Sequence, residues 1–158
     1  NVDTRLRKLD EGRYAAIVLA SAGLARLGWE GRITQYLPDS LCLPAVGQGA
    51  IGIECRTDDT SILSRLAALE HAPTRVAVNA ERAFSHRLGG SCQSPIAALA
   101  QLQAGQLLLS GLVAEPDGSR VWRGAISGAP GDARVLGRQL AERLLGQGAQ
   151  ALLERLDG

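Results

Sequence analysis

The stretch over residues 81–95 constrains the fold more than any other part of the chain, because it ends a helix and then presents a cysteine. Apolar residues at helical spacing predict one buried helix face: Val76, Ala80, Ala83, Phe84 and Leu88. Gly89 and Gly90 follow, and glycine favours the left-handed conformation in which many helices end. Pro95 cannot continue a helix and favours an extended residue before it. We therefore predict that Cys92 lies on a short loop between a helix and a strand.

Two interpretations of Cys92 follow from the residues alone. Most lone cysteines are small, buried hydrophobic residues, and such a cysteine needs no chemical role. A cysteine on a glycine-hinged loop can instead present its thiol to solvent or to a cleft. The partial negative charge at a helix C-terminus favours the neutral thiol, so activation must come from Arg82, His86, Arg87 or groups elsewhere.

The C-terminal part of the sequence predicts a small α+β layer. Strands are expected over residues 94–103, 107–114 and 120–127, with turns at Ala104-Gly105 and at 116–118. Helices are expected over 73–88, 133–146 and 149–156. Three antiparallel strands with helices on one face bury one core, so we expect residues 73–158 to fold independently.

The N-terminal part predicts a fragment of an α/β domain. A helix over residues 2–11 and a second over 21–28 flank the continuous apolar run at 14–20, which is typical of a strand buried in a parallel sheet. A charged residue just past the carboxyl end of such a strand often faces a ligand cleft. Arg26 lies close to that place and Arg5 opens the preceding helix, although the residues alone favour solvent-exposed helix arginines over ligand contacts.

The middle of the chain predicts a linker followed by a strand. Proline and glycine punctuate residues 37–49, and residues 51–56 predict a strand. Asp58 or Asp59 can cap a following helix that runs to about Ala68.

Composition excludes several functional classes. The net charge is +1 and only 3% of residues are aromatic, so neither a basic field nor a base-stacking surface for nucleic acid is expected. Three cysteines without close pairs indicate neither a disulfide framework nor a zinc site and favour a reducing cytoplasm. The chain has no signal peptide and no membrane-length apolar run. We therefore expect a cytoplasmic protein without metal, membrane or nucleic-acid partners.

Several blocks of the sequence resemble the porphobilinogen deaminases, also called hydroxymethylbilane synthases. Residues 81–84, 87–88, 90–93 and 95–96 are similar to the cofactor-attachment segment of that family, with Ser91 where a glycine is usual. Further similar blocks follow the family's order and cover essentially the whole chain; they lie at 1–9, 20–28, 43–50, 52–56, 114–118 and 128–132.

The resemblance implies a function for individual residues. It implies that Cys92 carries a dipyrromethane cofactor through a thioether bond. It implies that Arg5 and Arg26 bind substrate or cofactor carboxylates, and that Gly47 and Gln48 lie in a hinge. The implied activity is the joining of four porphobilinogens into hydroxymethylbilane with release of ammonia. The family's proton-handling aspartate belongs to a first domain outside this chain, so no catalytic residue is assigned here.

The resemblance also implies a domain organisation for a C-terminal half of a longer, monomeric enzyme. Residues 1–45 would belong to a second domain related to periplasmic binding proteins. Residues 46–71 would form a hinge and a strand-helix unit returning to the first domain, and residues 72–158 a C-terminal α+β domain. We expect the 158-residue chain alone to be inactive, with an N-terminal half that is disordered, repacked or completed by a second copy.

Two alternatives remain open from the sequence. One is a non-catalytic, periplasmic-binding-protein-like ligand-binding domain in which Cys92 is free. The other is an interaction or storage fragment. The three interpretations predict respectively a covalent pyrrole adduct on Cys92, an unmodified thiol with a reversible ligand, and neither.

Overall fold

The computed structural model describes residues 1–90 and 94–157, and the chain divides into two compact units, Asn1–Pro38 and Asp39–Gly158. The N-terminal unit contains helix α1 (Val2–Asp10), helix α2 (Ser21–Arg26) and a 3-10 turn (Glu30–Arg32). Helix α1 begins at Asn1, whose side-chain oxygen accepts the N–H of Asp3 at 2.9 Å. The two predicted helices of this unit are thus confirmed.

The expected buried strand over residues 14–20 is wrong for this unit. The segment is not paired as a strand, and the side chains of Tyr14 and Val18 are 53% and 69% exposed. A parallel strand needs neighbours on both edges and cover on both faces, and the described residues of the unit supply neither. A run of apolar residues indicates that a segment tends to be buried, but it forms part of a sheet only where other strands can pair with it. The periplasmic-binding-protein-like architecture is accordingly not confirmed.

The strand expected over residues 51–56 is also absent from the described chain. Ile51 and Ile53 are 71% and 56% exposed. The helix that follows is present as α3 (Thr60–Ala67), and the side chain of Asp59 caps it by accepting the N–H of Ile62 at 3.0 Å. No residue of α3 is buried, because its apolar side chains meet little of the described chain.

The predicted three-stranded antiparallel sheet is confirmed. Its strands are β1 (Ile96–Gln103), β2 (Gln106–Ala114) and β3 (Val121–Gly128), in the spatial order β1-β2-β3. Ala104 and Gly105 join β1 to β2 with φ values of +49° and +78°, as a two-residue hairpin of the primed type requires. Leu107, Leu109 and Val113 alternate along β2 and are fully buried on one face.

Helices cover that buried face. Helix α4 (Ala72–Arg87) and helix α5 (Ala133–Leu144) pack together and against the sheet. A π-helical segment (Leu145–Ala149) with a kink at Gly148 leads into helix α6 (Gln150–Asp157). The largest fully buried side chains all belong to this core: Phe84, Leu107, Leu109, Leu140, Leu144, Leu152 and Val113. The C-terminal unit is therefore an α+β layer with helices on one face of the sheet.

Candidate functional site

The C-terminal end of α4 is fixed by a Schellman motif. The N–H of Gly90 donates to the carbonyl of Ser85 at 2.8 Å, and the N–H of Gly89 donates to the carbonyl of His86 at 3.2 Å. Gly89 has a φ of +71°, which a residue without a Cβ adopts at little cost. The predicted helix stop is therefore confirmed, and the chain leaves α4 in a defined direction.

Gly90 also packs too closely for any larger residue. A Cβ placed on it would lie 2.4 Å from Ser85 Oγ and 3.1 Å from both Ile96 Cδ1 and the Ser85 carbonyl oxygen. Since Ile96 is the first residue of β1, this contact brings the end of α4 against the start of the sheet. On the far side of the loop, the Pro95 carbonyl accepts the N–H of Ala114 at 3.0 Å. The residues on either side of 91–93, Gly90 and Pro95, are thus both anchored to the core.

Cys92 itself lies outside the described residues, so its predicted role stays a prediction. The other two cysteines are free thiols, with Cys42 exposed and Cys55 half-buried. The described residues contain no cluster of histidine, cysteine, aspartate or glutamate that could hold a metal ion.

Helix α4 also contains a buried carboxylate. Glu81, on α4, is 5% exposed, and it is the single charged residue that is buried within the described part of the chain. Its Oε2 accepts the N–H of Gly47 at 2.7 Å and its Oε1 accepts the N–H of Ala100 at 2.8 Å. Burial raises the pKa of the Glu81 carboxyl above its ordinary value of 4.5, and the N–H groups of Ala100 and Gly47 offset part of that effect.

No role was predicted for Glu81 from the sequence, although the helix pattern contained a signal. Glu81 stands at helical spacing from Ala77, Phe84 and Leu88, which lie on the packed side of α4. A glutamate within an apolar helix stripe is buried at a cost unless its oxygens find donors. Those donors come from residues distant in sequence, and so periodicity could not identify them.

The two predicted carboxylate ligands lie in the N-terminal unit. Arg5 is on α1 and Arg26 is the last residue of α2, and both are exposed. Neither guanidinium forms an ion pair with any of residues 1–90 or 94–157. Both therefore remain free to bind an external carboxylate.

The two predicted hinge residues lie in a tight turn of the C-terminal unit. Gly47 has a φ of +71°, and its carbonyl accepts the N–H of Ala50 at 3.1 Å. Gln48 is exposed, and its N–H donates to the Ala45 carbonyl at 3.0 Å. The structure thus brings Gly47 to Glu81 and leaves the side chain of Gln48 in solvent.

A shallow groove of about 440 Å³ lies on the outer face of the sheet, opposite the helices. Arg123 lines it, but its guanidinium donates to the backbone carbonyls of Ser40 at 2.9 Å and Asp39 at 3.1 Å. Those bonds use the arginine to hold residues 39 and 40 on the sheet, so the groove offers no free cation to an acidic ligand.

Two family models match the chain in sequence order. The model described as "Porphobilinogen deaminase, dipyromethane cofactor binding domain" matches residues 1–64, and the model described as "Porphobilinogen deaminase, C-terminal domain" matches residues 76–146. The chain belongs to the porphobilinogen deaminase family. Together the matches span the free arginines, the turn at Gly47, the buried Glu81 and the loop after α4.

Membership of the porphobilinogen deaminase family connects the site to tetrapyrrole biosynthesis and to a dipyrromethane cofactor. The donor chemistry fits such a cofactor, because each of its pyrrole rings carries two carboxylates and Arg5 and Arg26 are unpaired among the described residues. In the described residues, no helix is long and apolar enough to span a membrane.

Proposed function

We propose that this chain acts as the C-terminal portion of a hydroxymethylbilane synthase, a transferase that joins four porphobilinogens head to tail and releases ammonia. The observation that carries the proposal is the pair of anchored residues Gly90 and Pro95, which flank position 92 in sequence and fall inside the second family match. The cytoplasm is the proposed location.

Each proposed role uses a side chain suited to it. Cys92 Sγ replaces the amino group of a first porphobilinogen, so one C–S bond forms, one C–N bond breaks and ammonia leaves with the thiol proton. Arg5 and Arg26 bind ring carboxylates, and Gly47 and Gln48 form part of the hinge. When bound, dipyrromethane supplies the free pyrrole carbon to which further porphobilinogens are joined.

The 158-residue chain alone is proposed to be inactive. Proton transfer to and from porphobilinogen needs a carboxyl group that can reach the substrate. The one buried carboxylate of the described residues, Glu81, already accepts a backbone N–H at each oxygen. The family resemblance assigns proton handling to an aspartate of a first domain outside these 158 residues. Steady production of linear tetrapyrrole by the purified chain would contradict this assignment.

Intact-mass spectrometry of the full-length enzyme tests the role of Cys92. Protein made in cells that synthesise porphobilinogen should carry the added mass of two porphobilinogens less two ammonia. Cys92→Ser should abolish the added mass, whereas the matched variants Cys42→Ser and Cys55→Ser should retain it. A dipyrrole that persists in Cys92→Ser would place the attachment elsewhere.

The same measurement separates the two alternatives. A non-catalytic ligand-binding domain would show an unmodified Cys92 and a small molecule that is lost on denaturation. An interaction or storage fragment would show neither. Family membership favours the enzyme, because both matched models belong to porphobilinogen deaminase.

A further inference from the structure

The Glu81 carboxylate is arranged as a structural tie. In the described chain no lysine, arginine or histidine forms an ion pair with it. A buried carboxylate without a cation is costly unless each oxygen receives a hydrogen bond. Here each oxygen receives one, at 2.7 Å and 2.8 Å, and bonds to an ionised acceptor are stronger than bonds between neutral groups.

The two donors belong to different parts of the C-terminal unit. Ala100 lies in β1, an edge strand, and its N–H faces away from β2. The outward-facing N–H of Ala98 donates to the Pro44 carbonyl at 3.2 Å, so the linker runs along the same edge. Gly47 follows on that linker, and Val46 packs against the core. Glu81 therefore joins α4, β1 and the linker turn formed by residues 44–50.

Two of these three pieces, α4 and β1, flank residues 91–93, which contain the proposed attachment position. Helix α4 precedes these residues and β1 follows them, while the linker turn contains the proposed hinge residues Gly47 and Gln48. Any change in the angle of the linker turn must therefore stretch the bonds to Glu81. Because the residue is 5% exposed and both oxygens face backbone N–H groups inside the unit, the Glu81 carboxylate is not accessible to a substrate.

We propose that Glu81 is a positioning residue: its carboxylate latches the linker turn at Gly47 to α4 and β1, and so fixes the turn relative to the two elements that flank Cys92 in sequence. The latch is a property of the fold of the C-terminal unit. Its consequence for chain elongation rests on the proposed function, because it requires pyrroles attached at Cys92.

Amide hydrogen exchange measured by NMR tests the latch in the 158-residue chain. The amides of Gly47 and Ala100 should be protected, whereas the amide of Gly49, which has no acceptor among the described residues, should exchange rapidly. Glu81→Gln keeps the shape but turns an NH₂ group toward one of the two donors. At least one of the two amides should then exchange on the order of tenfold faster or more.

The exposed Glu142 of α5 supplies a matched control, since Glu142→Gln makes the same chemical change away from the latch. Both protected amides should be unaffected in that variant. If Glu81→Gln does not fold, comparing the Gly47 and Gly49 amides of the wild-type chain still tests the latch. A Gly47 amide that exchanges as fast as that of Gly49 in the wild-type chain would overturn the latch.

Elongation in the full-length enzyme tests the positioning role. Folded Glu81→Gln enzyme should keep its dipyrrole but show an altered distribution of enzyme-bound pyrrole chain lengths during turnover, as read by intact mass. A variant that is only less stable, such as Leu152→Ala in α6, should lower the yield of folded enzyme without altering that distribution. An unchanged distribution in Glu81→Gln, with the Gly47 amide released, would overturn positioning. A wild-type enzyme with no pyrrole on Cys92 would refute the proposed function. The hydrogen-exchange data would still test the latch separately.

Discussion

Replacing Gly137 with alanine should destabilise the C-terminal unit, although alanine is the better helix former. A Cβ built on Gly137 would lie 2.3 Å from the Ala80 carbonyl oxygen, 2.8 Å from Ala83 Cβ and 2.9 Å from the Phe84 nitrogen. Two of these three atoms belong to the backbone of α4 and cannot rotate away. Helices α4 and α5 approach so closely only because α5 has no side chain at this position.

The magnitude follows from two opposing terms. Ordinary van der Waals contact begins near 3.4 Å, so α4 and α5 must separate by about 1 Å around the Ala80 carbonyl. Overpacking a core costs about 1–3 kcal/mol, and a clash with backbone belongs at the upper end. Replacing glycine with alanine inside a helix stabilises the helix by about 1 kcal/mol. The net loss in the free energy of unfolding should be about 2 kcal/mol.

Urea and thermal unfolding of the 158-residue chain measure this loss. A change of about 2 kcal/mol should lower the Tm of the C-terminal unit by roughly 5–10 °C. Gly146→Ala is the matched control, because a Cβ there meets no atom within 4 Å and φ is not positive. The control should be neutral or slightly stabilising. If Gly137→Ala were as stable as the control, helix propensity would outweigh the close approach of α4 and α5, and the reasoning would be refuted.

Three further predictions follow from the site. Arg26→Ala in the full-length enzyme should leave the fold intact and slow elongation by on the order of tenfold or more, because an exposed guanidinium that binds a carboxylate is lost; wild-type turnover would support a purely solvent-exposed arginine. In a carboxyl-carbon NMR titration, Glu81 should titrate above 4.5 and Asp117 below 3.8. The raised pKa means that the folded chain binds the Glu81 proton more tightly than the unfolded chain does. Protonation of Glu81 therefore adds to the free energy of unfolding below pH 4.5, and this gain is lost as pH rises through the folded-state pKa. Gly90→Ala should lower stability by about 1–3 kcal/mol through its clash with Ser85 Oγ, and Ser85→Ala in the same chain should recover most of that loss in chemical denaturation.

Local patterns predicted the C-terminal unit well because its elements meet neighbours close in sequence. The helix stop at Gly89, the hairpin at Ala104-Gly105 and the alternation along β2 each depend on a few adjacent residues. Antiparallel strands joined by short turns find their partners next along the chain, and so pattern and structure agree.

The N-terminal prediction failed where partners must come from elsewhere. Residues 14–20 have the composition of a buried parallel strand, but composition cannot supply the neighbouring strands. Glu81 was missed for a related reason. Its donors, Gly47 and Ala100, lie 34 and 19 residues away, and only the folded chain brings them to its oxygens.

The prolines and glycines of residues 37–49 predicted a linker, but in the structure part of this segment packs against the C-terminal unit. Its contribution to stability can be measured. Leu43 is 7% exposed, Pro44 accepts a bond from β1, and Gly47 donates to Glu81. A chain that begins at residue 39 should therefore be more stable than one that begins at residue 72, the predicted start of the C-terminal domain. Burial of Leu43 contributes about 2 kcal/mol and the bond to Glu81 about 1.5 kcal/mol, which together give roughly 3.5 kcal/mol.

A third chain, beginning at residue 51, locates the effect. It retains residues 51–71, whose helix α3 has no buried residue, but lacks the cover supplied by residues 39–50. In urea unfolding, the loss of about 3.5 kcal/mol should occur between the chains that begin at 39 and 51, with little further loss on shortening to 72. Equal stability of the chains that begin at 39 and 72 would show that the linker rests on the sheet without stabilising it, and that Glu81 keeps its oxygens satisfied from solvent.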